Sequence, residues 1–216
     1  MNKGRDKISA DYDPIADEYA ETYFDELAHK PIDRLLLNKF ARLVEGLGSV
    51  CDLGCGSGQI ARYLRDKGLP AFGLDLSANM VVKARQLNPD IEFIQGDMTA
   101  LEAEDESWGG IAAFYSIIHI PHEQVTDTLR ELRRVLVPGG WLLMSFHIGD
   151  EIIHLDEWHG KKVNIDTIFF PVGEIEGYLK EAGFEVAETV ERDHYEGVEY
   201  GSRRAYVFAQ KPHQTQ

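Results

Sequence analysis

From residue 50 onward, short apolar runs alternate with segments whose apolar residues recur at helical spacing. The runs Val50–Leu53, Ala71–Leu74, Ile91–Ile94, Ile111–Tyr115 and Trp141–Phe146 predict five strands, and the periodic segments between them predict helices. Such alternation implies a parallel sheet covered by helices on both faces. Ser77 is placed to cap the helix that carries Met80, Val81, Ala84 and Leu87, and Asn88-Pro89-Asp90 ends it. Farther on, Val172–Ala182 reads as a helix stopped by Gly183, followed by strands at Phe184–Val190 and Arg204–Ala209. Before residue 50, Asp11-Tyr12-Asp13-Pro14 supplies a cap and a first-turn proline. Ile15, Tyr19 and Tyr23, with Ala16, Ala20 and Phe24, then give a helix with an aromatic face. His29-Lys30-Pro31 interrupts it, and a second helix carries Ile32, Leu35, Leu36, Phe40, Leu43 and Val44 on one side. The stretch Ile148–Phe170 has no long periodic run and is expected to be an irregular lid or binding loop.

Length and charge narrow the classes. A chain of 216 residues has room for one α/β domain with additions. The expected division is N-terminal helices over 1–47, a ligand-binding core over 48–147 and a substrate-side insertion with terminal strands over 148–216. No apolar run approaches the roughly 20 residues of a membrane helix, and the polar start Met1–Asp6 lacks a signal core, so a cytoplasmic protein is expected without a membrane role. The net charge of −15 opposes a phosphate backbone and argues against nucleic acid. The basic residues of Leu129–Val135 share their helix with acids and read as a solvated face; acidic Glu102–Ser107 reads as a surface loop. Cys51 and Cys55, the only cysteines, are expected to serve as small packing residues rather than as a disulfide or metal pair.

The candidate chemistry begins at Val50-Cys51-Asp52-Leu53-Gly54-Cys55-Gly56-Ser57-Gly58-Gln59. Glycines at alternate positions let a backbone curl tightly and admit a ligand closely, and the helix that follows offers free N–H groups to polar ligand atoms. The spacing Gly-x-Gly-x-Gly differs from the dinucleotide pattern Gly-x-Gly-x-x-Gly, because Gln59 stands where the third glycine would fall. The stretch resembles motif I of the class I S-adenosylmethionine (SAM)-dependent methyltransferases. Asp75 at the end of the second strand, Gly96-Asp97-Met98 after the third and Leu136-Val137-Pro138-Gly139-Gly140 before the fifth extend the likeness. The resemblance implies a Rossmann-like, doubly wound seven-stranded α/β sheet, mostly parallel with an antiparallel last strand, and an N-terminal helical lid.

It also implies roles. Asp52 would organise the turn and reach the methionine amino group; Gly54, Cys55 and Gly56 would present backbone to the methionine moiety. Asp75 would accept both ribose hydroxyls, which takes two acceptor oxygens. Leu76 and Met80 would flank the adenine, Asp97 would accept its amine, Met98 would offer a backbone N–H, and Tyr115 would complete the cofactor set. Tyr12, Tyr19 and Tyr23 read equally as packing residues with polar tips; the resemblance favours Tyr19 as a cofactor contact. The segment Phe114–His122 lacks the Asn/Asp-Pro-Pro-Tyr/Phe pattern of nucleic-acid amino methyltransferases, and no Asp-Asp-Asn set marks the metal-dependent branch. A small-molecule acceptor, methylated at oxygen or nitrogen and with an aromatic ring as one option, is therefore expected for a monomer or homodimer.

Methyl transfer is an in-line displacement that needs alignment and removal of an acceptor proton. His119 after the fourth strand and His147 after the fifth are candidate bases, against loop-fixing roles of equal standing. His122 reads as a cap or surface residue. Tyr23, His154, Trp158 and Phe170 are candidate acceptor contacts, with packing as the competing reading. Two alternatives stand beside this function: a SAM-binding protein with a non-methylating or sensory role, and an NAD-dependent oxidoreductase.

Overall fold

The computed structural model describes residues 3–213, with side chains from Ile8 onward; Met1 and Asn2 of the polar N-terminal stretch lie outside them. Seven strands form one sheet: β1 (Ser49–Leu53), β2 (Ala71–Asp75), β3 (Phe93–Gln95), β4 (Trp108–Phe114), β5 (Leu136–His147), β8 (Glu185–Arg192) and β9 (Arg204–Gln210). Their order is β3-β2-β1-β4-β5-β9-β8. Strands β1 to β5 pair in parallel, and β9 inserts antiparallel between β5 and β8. The sheet therefore has the expected mostly parallel form with an antiparallel last strand.

Alternation along the central strands fills two cores. Cys51, Leu53, Ile111, Ala113, Leu142, Met144 and Val207 pack with helices α6 (His122–Val135) and α7 (Val172–Glu181). Val50, Ala112, Leu143, Tyr206 and Phe208 face the other way, onto α3 (Pro31–Val44) and α4 (Gln59–Asp66). Because successive strand side chains point to opposite faces, near-continuous apolar runs were needed to bury both. In α3 the buried face is Leu36, Leu37, Phe40, Ala41 and Val44, so Leu35, expected on that side, is exposed. Both cysteines are buried and free.

Two expectations are corrected. The N-terminal helix does not start at Asp11: α1 spans Lys3–Tyr12, a 3-10 turn covers Asp13–Ile15, and α2 spans Ala16–Tyr23. The would-be caps serve other elements. Asp13 Oδ1 accepts from Ser77 Oγ (2.5 Å) and Asn79 N–H (3.1 Å) at the start of α5 (Ala78–Leu87), and Asp11 Oδ1 accepts from Asn164 N–H (3.0 Å). Ser77 itself caps α5 as expected, accepting from Met80 N–H at 3.1 Å.

The stretch after β5 is no irregular loop. Strands β6 (Ile152–Trp158) and β7 (Lys161–Ile168) form an antiparallel hairpin, closed at His159 and Gly160, both with positive φ. Leu155, Trp158, Val163 and Ile165 pack with Ile15, Ala16, Met80, Tyr12 and Tyr19, so the hairpin and the N-terminal helices form a joint cover over the end of β2. Lys161 ties the two parts through Pro14 O (2.5 Å) and Glu18 (2.7 Å).

Candidate functional site

The order of β1 to β5 reverses between β1 and β4, and ligands of open α/β sheets sit beyond the carboxyl ends of strands at such a point. Here β1 ends and the backbone turns. Gly54 and Cys55 N–H groups both donate to Leu74 O, at 2.7 and 3.0 Å, which pins the turn against β2. Gly54 and Gly56 have φ of 70° and 51°. A β-carbon at Gly54 would collide with Ser116 Cβ, and one at Gly56 would stand 3.0 Å from Tyr19 Cε1, so both places demand glycine.

Asp75 closes the cradle. Its Oδ2 accepts Gly56 N–H and its Oδ1 accepts Ser77 N–H, each at 2.8 Å, so both carboxylate oxygens are fixed in direction. Burial raises its pKa against the pull of these two N–H groups, and Asp13 adds to the rise. Asp52 is buried under the turn, where Oδ2 accepts Ala61 N–H (2.9 Å) in the first turn of α4. Burial pushes its pKa up to about 7, with the Ala61 N–H acting the other way.

Above the cradle lies a cavity of about 310 Å³, within the range of small-molecule sites. Tyr19, Gly54, Gly56 and Asp75 line it on one side; Leu76, Met80, Asp97 and Met98 continue it, and Tyr115 and His119 face them. Asp97 Oδ1 holds its own turn by accepting from Thr99 N–H (2.9 Å) and Thr99 Oγ1 (2.8 Å). Tyr115 has φ of 50°, a conformation that costs a non-glycine residue of order 1–3 kcal/mol. Bonds from its N–H to Ser145 O and Oγ, at 3.1 and 3.2 Å, hold it there.

His119 has both ring nitrogens engaged. Nδ1 is 2.9 Å from Asp166 O on β7, and Nε2 is 2.9 Å from Tyr12 Oη on α1. Burial lowers its pKa, opposed by the Asp166 carbonyl and charge.

The remaining expected contacts do not line this cavity. Asp52 is sealed below the turn, where its carboxylate serves Ala61, and Cys55 packs behind the turn with Ala61, Val81, Ala84 and Phe93. His147 is stacked on Phe169 (centroids 4.7 Å) and beside Tyr115 (5.2 Å), with Nδ1 on Ser202 Oγ (2.8 Å). Burial and Arg204 lower its pKa to about 4. Tyr23, tilted, and Trp158, edge-on, pack on Tyr19 in an aromatic cluster; His154 sits on the hairpin's exposed side between Asp166 (2.6 Å) and Asp156 (3.1 Å). Phe170 is a core residue against Phe146 and His122.

Ser116, Asn164 and Asp166 are lining residues to which the sequence assigned no role. Tyr12, weighed with Tyr19 and Tyr23 as a packing residue or a ligand contact, lines the cavity from the end of α1. Ser116 gave no signal. Its buried Oγ has no hydrogen-bond partner, and an orphaned buried hydroxyl beside Gly54 suits a polar ligand atom.

A glycine turn against a parallel strand, a carboxylate with two directed oxygens and an orphan hydroxyl in one cavity define a Rossmann-like fold built to hold a nucleoside-bearing cofactor. The sequence model of a methyltransferase domain matches residues 50–140. Malonyl-[acyl-carrier protein] O-methyltransferase of Enterobacter lignolyticus is 30% identical over 152 residues, covering 68% of this chain and 56% of that protein. Demethylmenaquinone methyltransferase of Renibacterium salmoninarum is 27% identical over 151 residues, 67% of this chain and 60% of that one. The chain thus spans less than two thirds of the length of these curated relatives. The solved structure of a SAM-dependent methyltransferase from Methanosarcina mazei shares the fold, with TM-score 0.72, 16% identity and coverage of 80% of this chain and 96% of that one. Residues 50–140 match a methyltransferase domain, and the fold is that of the class I SAM-dependent methyltransferases, whose cofactor is SAM. That match and the Gly-x-Gly-x-Gly turn both stand on the side of SAM rather than NAD. Among the described residues, no helix is long and apolar enough to cross a membrane.

Proposed function

We propose that the protein transfers a methyl group to an oxygen or nitrogen of a small-molecule acceptor. The observation that carries this reading is that His119, whose pKa burial lowers, shares one cavity with Asp75 and the glycine turn. When bound, SAM supplies an electrophilic methyl group. Gly54 and Gly56, with the orphan Ser116 hydroxyl, would hold its methionine end, Asp75 its ribose, and Leu76, Met80, Asp97 and Met98 its adenine. Tyr19 and Tyr115 would flank it. Asp52 and Cys55 would act from beneath the turn, as cap and packing.

His119 would take the acceptor proton, and the cover of N-terminal helices and hairpin would exclude water. Of the further candidates, His147 would orient Tyr115. Tyr23 and Trp158 would stiffen the cover, while His154 and Phe170 would hold the hairpin and the core. Residues 1–47 would act as lid, 48–147 as cofactor core and 148–216 as acceptor side of one domain. The reading extends to a cytoplasmic monomer or homodimer that avoids nucleic acid because its net charge of −15 opposes phosphate.

The test is S-adenosylhomocysteine release across a panel of phenols, carboxylic acids and amines. Turnover of one chemical class supports the reading. SAM binding without any turnover would favour a non-methylating role.

A further inference from the structure

The N-terminal helices contribute chemistry as well as cover. Tyr12 on α1, His119 after β4 and Asp166 on β7 form a continuous hydrogen-bonded chain, and all three line the cavity. A backbone carbonyl can only accept, so His119 Nδ1 carries a proton toward Asp166 O. In the neutral ring Nε2 is then a bare acceptor, and Tyr12 must donate its hydroxyl proton to it. The remaining lone pair of Tyr12 Oη is left for a group in the cavity. His119 Nε2 is thus reached through the Tyr12 hydroxyl.

We propose that the acceptor's proton reaches His119 by relay through the Tyr12 hydroxyl, with the Asp166 carbonyl fixing the tautomer that makes the relay one-directional. This deepens the proposed methyl transfer and rests on it. In the step, a lone pair of the acceptor forms the bond to the methyl carbon as the carbon–sulfur bond breaks, its electron pair staying on sulfur. The acceptor's proton moves to Tyr12 Oη while Tyr12's own proton moves to His119 Nε2, giving an imidazolium that later loses its proton to water. Tyr12 is neutral before and after. Its raised pKa, from burial first and then from Asp75, Tyr23 and Asp11, suits a carrier that never persists as a phenolate. The titratable groups facing the pair are Asp11, Tyr19 and Tyr23 on the N-terminal helices, Asp75 at the end of β2, Asp166 on β7 and His147 at the end of β5.

The experiment reads ring-nitrogen signals of His119 by NMR in the S-adenosylhomocysteine complex of the full chain, wild type and Tyr12→Phe, across pH. The expected wild-type ring has Nδ1 protonated and Nε2 bare, and its titration midpoint rises by roughly half to one unit in Tyr12→Phe, because a donor to the neutral form is lost. An Nε2–H tautomer, or a midpoint indifferent to the substitution, would overturn the relay without any acceptor being known.

The kinetic arm uses whichever panel acceptor turns over. Tyr12→Phe lowers kcat about 100-fold with SAM affinity within about threefold, and Tyr12→Phe/His119→Gln is no slower than His119→Gln alone, since the pair acts as a unit. Weakened SAM binding at unchanged kcat would make Tyr12 a lid residue and overturn the relay. Absence of turnover for the whole panel, with SAM bound, counts against the methyl-transfer reading, and the ring-nitrogen signals still decide the hydrogen-bond chain.

Discussion

His119 follows β4 and His147 ends the neighbouring β5, at the same end of the sheet, yet their surroundings assign them different work. His119 lies in a short turn beyond its strand and meets two other elements, the Tyr12 hydroxyl of α1 and the Asp166 carbonyl of β7, inside the cavity. His147 ends its strand between the rings of Tyr115 and Phe169, outside the cavity, with Ser202 on Nδ1. Its side of the sheet is braced by buried charges. Arg192 binds Asp33 (2.8 Å), Glu199 (2.6 Å) and the Tyr206 hydroxyl, and Lys30 binds Glu26 (2.6 Å) and Glu199 (3.1 Å). Tyr206 Oη donates to Asp33 Oδ2, so its partner Tyr115 is the donor in the 3.1 Å bond between the two hydroxyls. Tyr115 thereby joins a structural region on one side to the cavity on the other. Position at a strand end makes a histidine available; what distant segments bring to its nitrogens decides whether it does chemistry.

The largest effect that would sharpen this contrast lies in the charge cluster. Arg192→Ala leaves Asp33 buried without its cation and Glu199 with only Lys30 and Arg204, and the loss of stability is expected at about 3–5 kcal/mol by urea unfolding. A loss below 1 kcal/mol would mean that the cluster is not a brace. Next, His119→Gln is expected to slow turnover about 100-fold, roughly 3 kcal/mol, while His147→Gln stays within a few-fold. Equal losses would break the distinction between the two histidines.

A smaller effect concerns pH. The His147 pKa falls from an ordinary 6.5 to about 4 in the fold, so the unfolded chain binds the extra proton first. Stability contributed by the neutral ring is full above pH 6.5 and is lost as pH falls toward 4, by about 2–3 kcal/mol. His147→Phe should flatten the stability profile in that window, and an unchanged slope would assign it to other groups.

Glu199 acts lower. Its pKa falls from 4.5 to about 2, by the Arg192 pair, the Tyr195 N–H and Lys30 against burial, so its contribution goes only below pH 4.5.

What was legible in the sequence follows from how local each signal is. The strands of the sheet and the glycine turn could be read because an apolar run, or three glycines before a helix, fixes local structure by itself. The hairpin could not. Many of its outer positions, such as Asp156 and Glu157, are polar, and Leu155, Trp158, Val163 and Ile165 turn inward against N-terminal helices that are remote in sequence. Helix α1 carries few apolar residues before Tyr12, and Asp11 and Asp13 look like caps of the next helix when they cap or tie partners 60 to 150 residues away. The charge cluster draws on Lys30, Asp33, Arg192, Glu199 and Tyr206, so no window of sequence contains it. The same holds for the Tyr12–His119–Asp166 chain, whose members come from three separate elements.

The measurement closest to the central claim is calorimetric titration of wild type and Asp75→Ala with SAM, S-adenosylhomocysteine and NAD. The account predicts that wild type binds the first two and not NAD, and that Asp75→Ala loses about 2–4 kcal/mol because two ribose hydroxyls lose a charged acceptor. Unchanged SAM affinity in a folded Asp75→Ala variant would contradict it.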